Sequence, residues 1–251
     1  MSISVIKSLF IWFLYILLLV LLYPPALLIW IISWPFDKRL WLLQWYSNFW
    51  ASTFTWLTPG WKVKIEGREK IKPGKVYILV SNHQSILDII LLYRLFAHFK
   101  WIAKQELFRV PVIGWNMTAS RYIPLKRGSK ASVMRMAQLS EKTLKDASSL
   151  MIFPEGTRSE TAEIKGFKDG AFKIAIKTKT PIIPIVLDGT GNALPKNGFE
   201  FSSIELFHIR ILDEVQVDGL TDRDVKSLTS KVRHLMIDEL KKMRIEDGQS
   251  A

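Results

Sequence analysis

The chain is 251 residues long, carries a formal net charge of +12 at pH 7 and contains no cysteine. This length suits one sizeable catalytic domain with a small additional segment, and a core of this size needs no covalent staples. The missing cysteines exclude a disulfide framework, thiolate metal sites and a cysteine nucleophile, and the four histidines lack metal-binding spacing, so we expect no metal site.

The N-terminus is strongly apolar, with no charged side chain in residues 8–34. About 20 apolar residues suffice to cross a bilayer, so this run is long enough. It exceeds a secretory hydrophobic region and lacks a small-residue cleavage site, which makes a cleaved signal peptide the weaker interpretation. Pro24 and Pro25 predict a kink or a break in the helix. We therefore expect either one tilted, kinked transmembrane helix or a hairpin held in one leaflet.

Residues 40–61 are rich in aromatic side chains and follow the apolar run directly. Helical spacing places four of these side chains on one face, namely Trp41, Trp45, Phe49 and Trp50. Such a stripe is common in domain cores, but beside a long apolar run it favours the headgroup level of a membrane. Because Lys38 and Arg39 follow the apolar run, the rest of the chain is predicted to lie on the cytoplasmic side of the inner membrane. Residues 1–61 are thus expected to form a membrane-anchoring helical segment.

Beyond residue 61, short β-rich runs alternate with amphipathic segments, which predicts one α/β domain over residues 62–251. The predicted strands are 62–66, 76–80, 100–102, 122–124, 150–153, 182–187 and 204–212. The predicted helices are 86–98, 130–145, 170–177 and 222–243, the last with Thr221-Asp222 as its N-cap and apolar positions at Val225, Leu228, Val232, Leu235 and Leu240.

The charge is concentrated in this domain, because residues 1–61 hold only three basic side chains and one acidic side chain. The remaining excess, +10 of the +12, lies beyond them. We therefore expect an anionic partner, such as a lipid headgroup, a phosphate ester, coenzyme A, an acidic protein or nucleic acid.

Residues 82–88, Asn-His-Gln-Ser-Ile-Leu-Asp, place an imidazole and a carboxylate five residues apart, just after a predicted strand. A carboxylate that accepts a hydrogen bond from one ring nitrogen fixes the tautomer and leaves the other nitrogen free to take a proton. His83 and Asp88 are thus candidates for an oriented general base. A turn histidine that is hydrogen-bonded for structural reasons is the commoner case, so the motif needs support from other segments.

Two further segments combine basic side chains with a glycine after a predicted strand. In residues 153–159, Gly156 permits a positive φ or a close backbone approach, and Arg158 offers a planar fork for a phosphate. A strand-end turn with a surface salt bridge is the structural alternative. Lys104 and Arg127, which follow other strands, indicate a second phosphate-binding segment. Residues 180–186 predict a buried strand whose proline, Pro184, would suit only an edge or a bulge.

These segments, in this order, resemble the four motifs of the glycerolipid acyltransferase family, in particular its 1-acylglycerol-3-phosphate O-acyltransferases. His83 and Asp88 match the His-x4-Asp motif, Arg127 matches the arginine of the second motif, residues 153–158 match the Phe-Pro-Glu-Gly-Thr-Arg block, and Pro184 matches the fourth motif. The resemblance covers about residues 76–190. One departure is Ser120-Arg121, which stands where a glycine often precedes the second-motif strand. The fold that the resemblance implies is a mixed β-sheet flanked by helices.

The activity that the resemblance implies is transfer of a fatty acyl group from a thioester to the 2-hydroxyl of lysophosphatidic acid, which makes phosphatidic acid. His83 would take the proton of that hydroxyl, and Asp88 would orient His83 and stabilise the imidazolium. Because the substrate itself is the nucleophile, Ser85 is given no covalent role, and it lacks a Gly-x-Ser-x-Gly elbow. The implied substrate-binding residues are Arg158, Arg127, Glu155, Gly156, Thr157 and Lys104.

The roles within this substrate-binding group differ. The arginines and Lys104 would hold the substrate phosphate, whereas Glu155 would either orient the arginines or bind the glycerol. Backbone amides near Gly156 are candidates for stabilising the oxyanion.

Several alternatives stay open at this point. Other acceptors for the same chemistry are glycerol 3-phosphate, a lysophospholipid without a free phosphate, and an aminolipid. The donor is either acyl-coenzyme A or acyl carrier protein, since both are anionic and suit a basic surface, and no cofactor is expected. A non-catalytic protein that binds anionic lipid or nucleic acid is a further alternative. The sequence has no zinc knuckle, helix-turn-helix or aromatic RNA-binding signature, so a nucleic-acid partner is not expected.

Overall fold

The structure of the protein, a computed structural model, describes residues 3–202 and 205–248. Its α-helices are α1 (Ile3–Ser33), α2 (Trp41–Trp56), α3 (Leu87–Tyr93), α4 (Ile113–Ala119), α5 (Lys130–Lys145), α6 (Gly170–Thr178), α7 (Thr190–Ala193) and α8 (Val225–Glu246). Its strands are β1 (Trp61–Glu66), β2 (Ile78–Ser81), β3 (Phe99–Lys104), β4 (Ile123–Leu125), β5 (Ser149–Ile152), β6 (Ile182–Asp188) and β7 (Glu205–Ile211). The predicted class, an α/β fold with a mixed sheet flanked by helices, is confirmed.

The chain groups into two compact units. The first unit joins the residues up to Thr58 with Ile90–Met151, and the second joins Pro59–Ile89 with the residues from Ile152 onward. The predicted division into a membrane-anchoring segment of residues 1–61 and a domain of residues 62–251 stays a prediction, because compact packing does not locate a membrane boundary.

The second unit contains four neighbouring strands of a mixed sheet, in the order β1-β7-β6-β2. β1 runs parallel to β7 and β2 parallel to β6, whereas β6 and β7 are antiparallel. Helix α8 packs on β6, and α6 packs on both α8 and β2. Strands covered by helices are expected to read as continuous apolar runs, and every residue of β2 and β6 is buried.

Pro184 lies in an interior strand of this sheet, so the expectation of an edge or a bulge was wrong. It is opposite Val80 of β2, and its carbonyl oxygen accepts a hydrogen bond from the amide of Leu212 at 2.9 Å. The antiparallel pairing with β7 begins one residue later, at Ile185. The proline nitrogen, which has no hydrogen to donate, therefore lies just beyond the last residue pair between β6 and β7, so few hydrogen bonds of that pairing are lost.

The first unit contains three parallel strands in the order β5-β3-β4. Helix α5 packs on β4, and α5 has the bounds that its amphipathic pattern predicts. The paired residues Lys104 and Leu125 are the last residues of β3 and β4. Because carboxyl ends of parallel strands meet at one edge of a sheet, Lys104 and the segment that carries Arg127 leave the sheet at the same edge.

Helix α1 runs without interruption through Pro24 and Pro25. Of the two expected arrangements, the hairpin broken at the prolines was therefore wrong, and a single helix is observed. The two prolines remove only the hydrogen bonds to the carbonyls of Val20 and Leu21. The next carbonyl, that of Leu22, accepts a hydrogen bond from the Tyr46 hydroxyl of α2 at 2.9 Å. With 31 residues, α1 is roughly 45 Å long and is long and apolar enough to cross a membrane.

Helix α2 folds back along α1 as its antiparallel neighbour. The Tyr15 hydroxyl lies 3.1 Å from the carbonyl oxygen of Phe54 and 2.7 Å from the hydroxyl of Thr58, and the Tyr15 and Phe54 rings meet edge to face at 4.8 Å. The opposite face of α1 is open, with Phe10 and Phe13 more than 60% exposed. The pair is thus held by polar contacts inside and presents apolar side chains outside.

The aromatic stripe predicted on α2 is divided between two faces. Trp41, Trp45 and Phe49 are exposed, but Trp50 is only 5% exposed and belongs to the packed face. Adjacent helix positions lie about 100° apart, so Trp50 cannot share the face of Phe49. Trp56 takes its place among the exposed rings, with its centroid 5.9 Å from that of Phe49.

Other helices differ from prediction in their ends. Helix α3 ends at Tyr93, five residues early, because the chain tightens into i→i+3 hydrogen bonds and reaches a left-handed backbone at Phe96, with φ 52°. In α8, Leu235 is exposed and Met236 is buried in its stead. Thr221 caps a 3₁₀ turn that precedes α8. The predicted start of the last strand at Ile204 lies outside the described residues.

The departure at Ser120-Arg121 keeps the backbone that a glycine would favour. Arg121 has a φ of 57°, which is in the left-handed region, so its side chain makes this turn less favourable than glycine would. The Arg121 guanidinium donates a hydrogen bond to the carbonyl of Lys38 at 2.9 Å. This contact ties the turn before β4 to the loop between α1 and α2, a link that a glycine could not make.

Candidate active site

The turn that follows β2 is fixed by Asn82. Its side-chain amide donates to the carbonyl of Leu187, and its side-chain oxygen accepts from the amide of Leu187, both at 2.8 Å. The side chain thereby continues the pairing of β2 with β6 beyond the end of β2. The next residue, His83, is held at the carboxyl end of the parallel pair.

His83 and Asp88 form a direct hydrogen bond, with 2.7 Å between Nδ1 and Oδ2. The same Oδ2 accepts the backbone amides of Gln84 at 2.7 Å and Ser85 at 2.9 Å. These amides are donors only, so the fully buried Asp88 is held as the acceptor and Nδ1 carries the ring proton. The Nε2 atom of His83 is then the ring nitrogen with a free lone pair, as a general base requires.

The ring and the backbone of His83 are held by the segment 153–159. The Phe153 ring stacks on the imidazole with centroids 3.9 Å apart and planes 8° apart. The His83 amide donates to Oε1 of Glu155 at 2.9 Å, and the His83 carbonyl accepts from the amide of Ser159 at 2.7 Å. The imidazole side chain keeps 14% of its surface exposed, so a substrate hydroxyl could approach it.

Glu155 bonds to backbone amides and to no arginine that the structure describes. Its second oxygen, Oε2, accepts from the amide of Lys165 at 3.2 Å. Burial raises the pKa of Glu155, while the two amides favour its charged form. The two roles predicted for it stay predictions, and the geometry adds a third, which is to fasten the His83 turn to the segment 153–159.

Gly156 has a φ of 70°, which explains the need for glycine at this turn. Its amide donates to the Phe153 carbonyl at 3.1 Å, so this amide is engaged within the turn. Arg158 is half-buried, and its guanidinium makes no hydrogen bond or ion pair within residues 3–202 and 205–248. Lys168 was not predicted, yet its Nζ lies so close to Gly156 that an added Cβ there would stand 3.0 Å from it.

The structure brings six of the eight predicted site residues into the second unit: His83, Asp88, Glu155, Gly156, Thr157 and Arg158. The other two, Lys104 and Arg127, belong to the first unit and are exposed there. Lys104 lies 3.8 Å from Glu106 in a surface ion pair. Their role in phosphate binding stays a prediction.

Two polar residues around Asp88 were missed by the sequence analysis. The Thr190 hydroxyl donates to Oδ1 of Asp88 at 2.5 Å, and Gln84 lies between Thr190 and Asp188. The only available signal was the position of Asp188-Gly189-Thr190 at the carboxyl end of an apolar strand. Ser85 is fully buried and donates to the carbonyl of Leu194 at 2.7 Å, which is a structural role.

Comparison with known proteins gives one family. The family model described as Acyltransferase matches residues 62–188. The chain is 40% identical over 162 residues to a 1-acyl-sn-glycerol-3-phosphate acyltransferase of Chlamydomonas reinhardtii, an alignment that covers 64% of this chain and 48% of that protein. It is 36% identical over 189 residues to the 1-acyl-sn-glycerol-3-phosphate acyltransferase of Saccharomyces cerevisiae, covering 73% and 61%. The chain thus spans about half to three fifths of the length of these relatives.

A solved structure is similar over nearly the whole chain. The crystal structure of the 1-acyl-sn-glycerophosphate (LPA) acyltransferase PlsC from Thermotoga maritima superposes with a TM-score of 0.80 at 25% identity, covering 96% of each chain. The match in fold extends well beyond the segment that the family model covers. On these grounds the chain belongs to the acyltransferase family.

Proposed function

We propose that this protein transfers a fatty acyl group from a thioester to the 2-hydroxyl of 1-acylglycerol 3-phosphate and so makes phosphatidic acid. The observation that carries the proposal is the pair of His83 and Asp88, in which Nδ1 donates to a buried carboxylate and Nε2 is left to act as a base. The named relatives and the structure from Thermotoga maritima support this acceptor.

The reaction needs a base because a hydroxyl is a poor nucleophile at neutral pH. His83 Nε2 takes the proton of the 2-hydroxyl as that oxygen attacks the thioester carbonyl carbon, and a tetrahedral oxyanion forms. Asp88 stabilises the imidazolium. The carbon–sulfur bond then breaks, and His83 returns the proton to the departing thiolate. The products are phosphatidic acid and a free thiol.

Arg158 is proposed to hold the substrate phosphate. A half-buried guanidinium without a partner among the described residues can form a bidentate pair with a phosphate, and Lys168 at the same turn adds positive charge. Arg127 and Lys104 are proposed as further phosphate contacts on the grounds of motif and charge. The expected result is a higher KM for lysophosphatidic acid in Arg158→Ala, with a smaller change in Arg158→Lys.

Membrane association is indicated by α1, whose apolar surface is open on the side away from α2. We propose that α1 and α2 lie in the inner membrane with the aromatic rings of α2 at the headgroup level and the site on the cytoplasmic side. Pulling an acyl chain into water costs about 0.8 kcal/mol per CH₂. A base close to the headgroup plane can act while the chains of substrate and product stay in the leaflet.

The test is acyl transfer by the purified full-length protein with radiolabelled oleoyl-coenzyme A and lysophosphatidic acid. We expect labelled phosphatidic acid from the wild type and from His234→Ala, an exposed histidine that serves as the matched control. His83→Ala is expected to lose this activity while it stays in the membrane fraction. An active His83→Ala enzyme would overturn the mechanism.

A panel of acceptors and donors separates the alternatives. Glycerol 3-phosphate, a lysophospholipid without a free phosphate and an aminolipid are offered in place of lysophosphatidic acid, each with oleoyl-coenzyme A and with oleoyl-acyl carrier protein. Preference for another acceptor would overturn the assignment to lysophosphatidic acid but not the His83 chemistry. Lipid binding without acyl transfer to any acceptor would identify a non-catalytic protein instead.

A further inference from the structure

The carboxylate of Asp88 is held on both of its oxygens. Oδ2 accepts from the His83 ring and from two backbone amides, whereas Oδ1 accepts from the hydroxyl of Thr190 at 2.5 Å. In the part of the chain that the structure describes, Thr190 is the one partner of Oδ1. Both Asp88 and Thr190 have no exposed surface, so water cannot replace that hydroxyl without a change in packing.

The direction of this hydrogen bond follows from the chemistry of its atoms. The single hydroxyl proton of Thr190 can point to Oδ1 of Asp88 or to Oε1 of Gln84, which lies 3.2 Å away. The shorter contact is to the carboxylate, and hydrogen bonds to a charged acceptor are the stronger ones. Gln84 Oε1 has a second donor in the amide of Gly191 at 3.4 Å.

Thr190 is itself placed by a strand end and by the C-terminal helix. Gln84 donates to Asp188 at 3.0 Å, and Asp188 accepts from the Arg244 guanidinium of α8 at 3.1 Å. The turn between Asp188 and Thr190 needs a glycine, since a Cβ on Gly189 would stand 2.3 Å from the carbonyl oxygen of Leu206. The strand end therefore presents the Thr190 hydroxyl to Asp88 in one fixed position.

We infer that Thr190 is a positioning residue for the reaction, acting through Asp88. Its hydroxyl stops rotation of the Asp88 carboxylate and so keeps the His83 ring aimed at the substrate hydroxyl. Because Thr190 has no exposed surface, it would not touch the substrate or the thioester, so its loss lowers kcat and leaves the KM of both substrates unchanged. This inference rests on the proposed function.

The experiment compares Thr190→Ser with Thr190→Ala in the full-length enzyme, with oleoyl-coenzyme A and lysophosphatidic acid as substrates. Both variants lack the threonine methyl group, so the hydroxyl alone distinguishes them. We expect Thr190→Ser to stay within about threefold of wild-type kcat and Thr190→Ala to lose roughly 10- to 100-fold, with KM unchanged in both. Thr229→Ala is the matched control, because it removes another largely buried threonine hydroxyl, on α8, and should keep wild-type kcat.

The outcomes separate three cases. Equal kcat values for Thr190→Ser and Thr190→Ala overturn the inference, and so does a loss that appears in KM alone. If Thr190→Ala does not fold, Thr190→Cys takes its place, because a thiol is a weak donor of similar size, and full activity of that variant also overturns the inference. A wild-type enzyme without acyl transfer points instead to failure of the proposed function.

Discussion

Lys100 offers a test of the packing that needs no substrate. It is on β3 and only 4% exposed, and its ammonium group has no hydrogen-bond partner among the described residues. Burial lowers the pKa of Lys100 from an ordinary 10.5 to about 7, and Arg121 and Arg39 add to that effect while Asp37 opposes it. Near neutral pH this lysine therefore lowers the free energy of unfolding, because Lys100 holds its proton less tightly in the folded protein than in the unfolded chain.

The substitution Lys100→Met removes the charge and keeps the length of the side chain. Between about pH 7 and pH 10 the unfolded chain holds a proton on Lys100 that the folded chain has largely released, so the free energy of unfolding of the wild type rises with pH in this window. The cost removed by the substitution is at most about 4 kcal/mol near pH 7.5 and about 1.5 kcal/mol near pH 9.5. Each kcal/mol shifts Tm by about 2–4 °C in a protein of this size.

The assay is thermal unfolding of the detergent-solubilised full-length protein, followed by tryptophan fluorescence at several pH values. We expect Lys100→Met to have the higher Tm near neutral pH and its advantage over the wild type to shrink as the pH rises. Lys62→Met, which changes an exposed lysine on β1, should show neither effect. A lower Tm for Lys100→Met near neutral pH, or a difference that does not change with pH, would refute the reasoning.

Three further outcomes are expected. Asp88→Asn keeps the shape of the side chain but removes the charge that stabilises the imidazolium. We expect kcat to fall by about 10³- to 10⁴-fold with little change in Tm. A loss of kcat under tenfold would contradict the role of the carboxylate. Glu155→Gln can still accept the amide of His83, so it should retain more kcat than Glu155→Ala, and equal rates would show that this contact is unimportant. Gly189→Ala should lower Tm far more than Gly219→Ala. Both glycines have a positive φ, but only a Cβ at position 189 would clash with a carbonyl oxygen. Similar Tm values for the two variants would contradict that clash.

Secondary structure was predicted best from the sequence in segments where one periodic pattern of apolar residues determines the element. Helix α5 has its predicted bounds because its amphipathic pattern is uninterrupted and Ser129 caps its start by accepting the amide of Ser132. The strands are also found near their predicted positions, since continuous apolar runs between turn residues have few other places to go.

The incorrect predictions have a common physical cause. Each relied on the local preference of a residue, and contacts with distant parts of the chain overrode that preference. Pro24 and Pro25 are helix breakers in water, but α1 packs against α2. In the membrane location that we propose for α1, a break would also leave further backbone groups unpaired in apolar surroundings, which is unfavourable. Pro184 is tolerated in an interior strand because its missing donor lies past the end of a neighbouring strand, a fact of register that no single segment contains.

At the candidate site, too, residues within one short segment were predictable and residues brought together by long-range pairing were not. The Phe-Pro-Glu-Gly-Thr-Arg block of residues 153–158 and the spacing of His83 and Asp88 could be found from the sequence because each lies within one short segment. Thr190 could not, since it is 102 positions from Asp88 along the chain and reaches it only through the pairing of β2 with β6. Its residue type is too common in turns to carry a signal of its own.

The two backbone hydrogen bonds of His83 have a geometric consequence for the choice of hydroxyl. Its amide and its carbonyl both bond to the segment that also bears Arg158, and the Lys165 ammonium donates to the carbonyl of Arg158 at 3.1 Å. The backbone of His83 is therefore tied to the backbone of the segment that carries Arg158. If Arg158 holds the substrate phosphate, as proposed, the distance from that phosphate to the base depends on this shared backbone and on the length of the arginine side chain. Under the proposed roles of Arg158 and His83, a 2-hydroxyl lies on the carbon next to the one that bears the phosphate and a 1-hydroxyl lies one carbon farther away. The two hydroxyls would therefore reach the imidazole differently, so this backbone pairing bears on which hydroxyl is acylated.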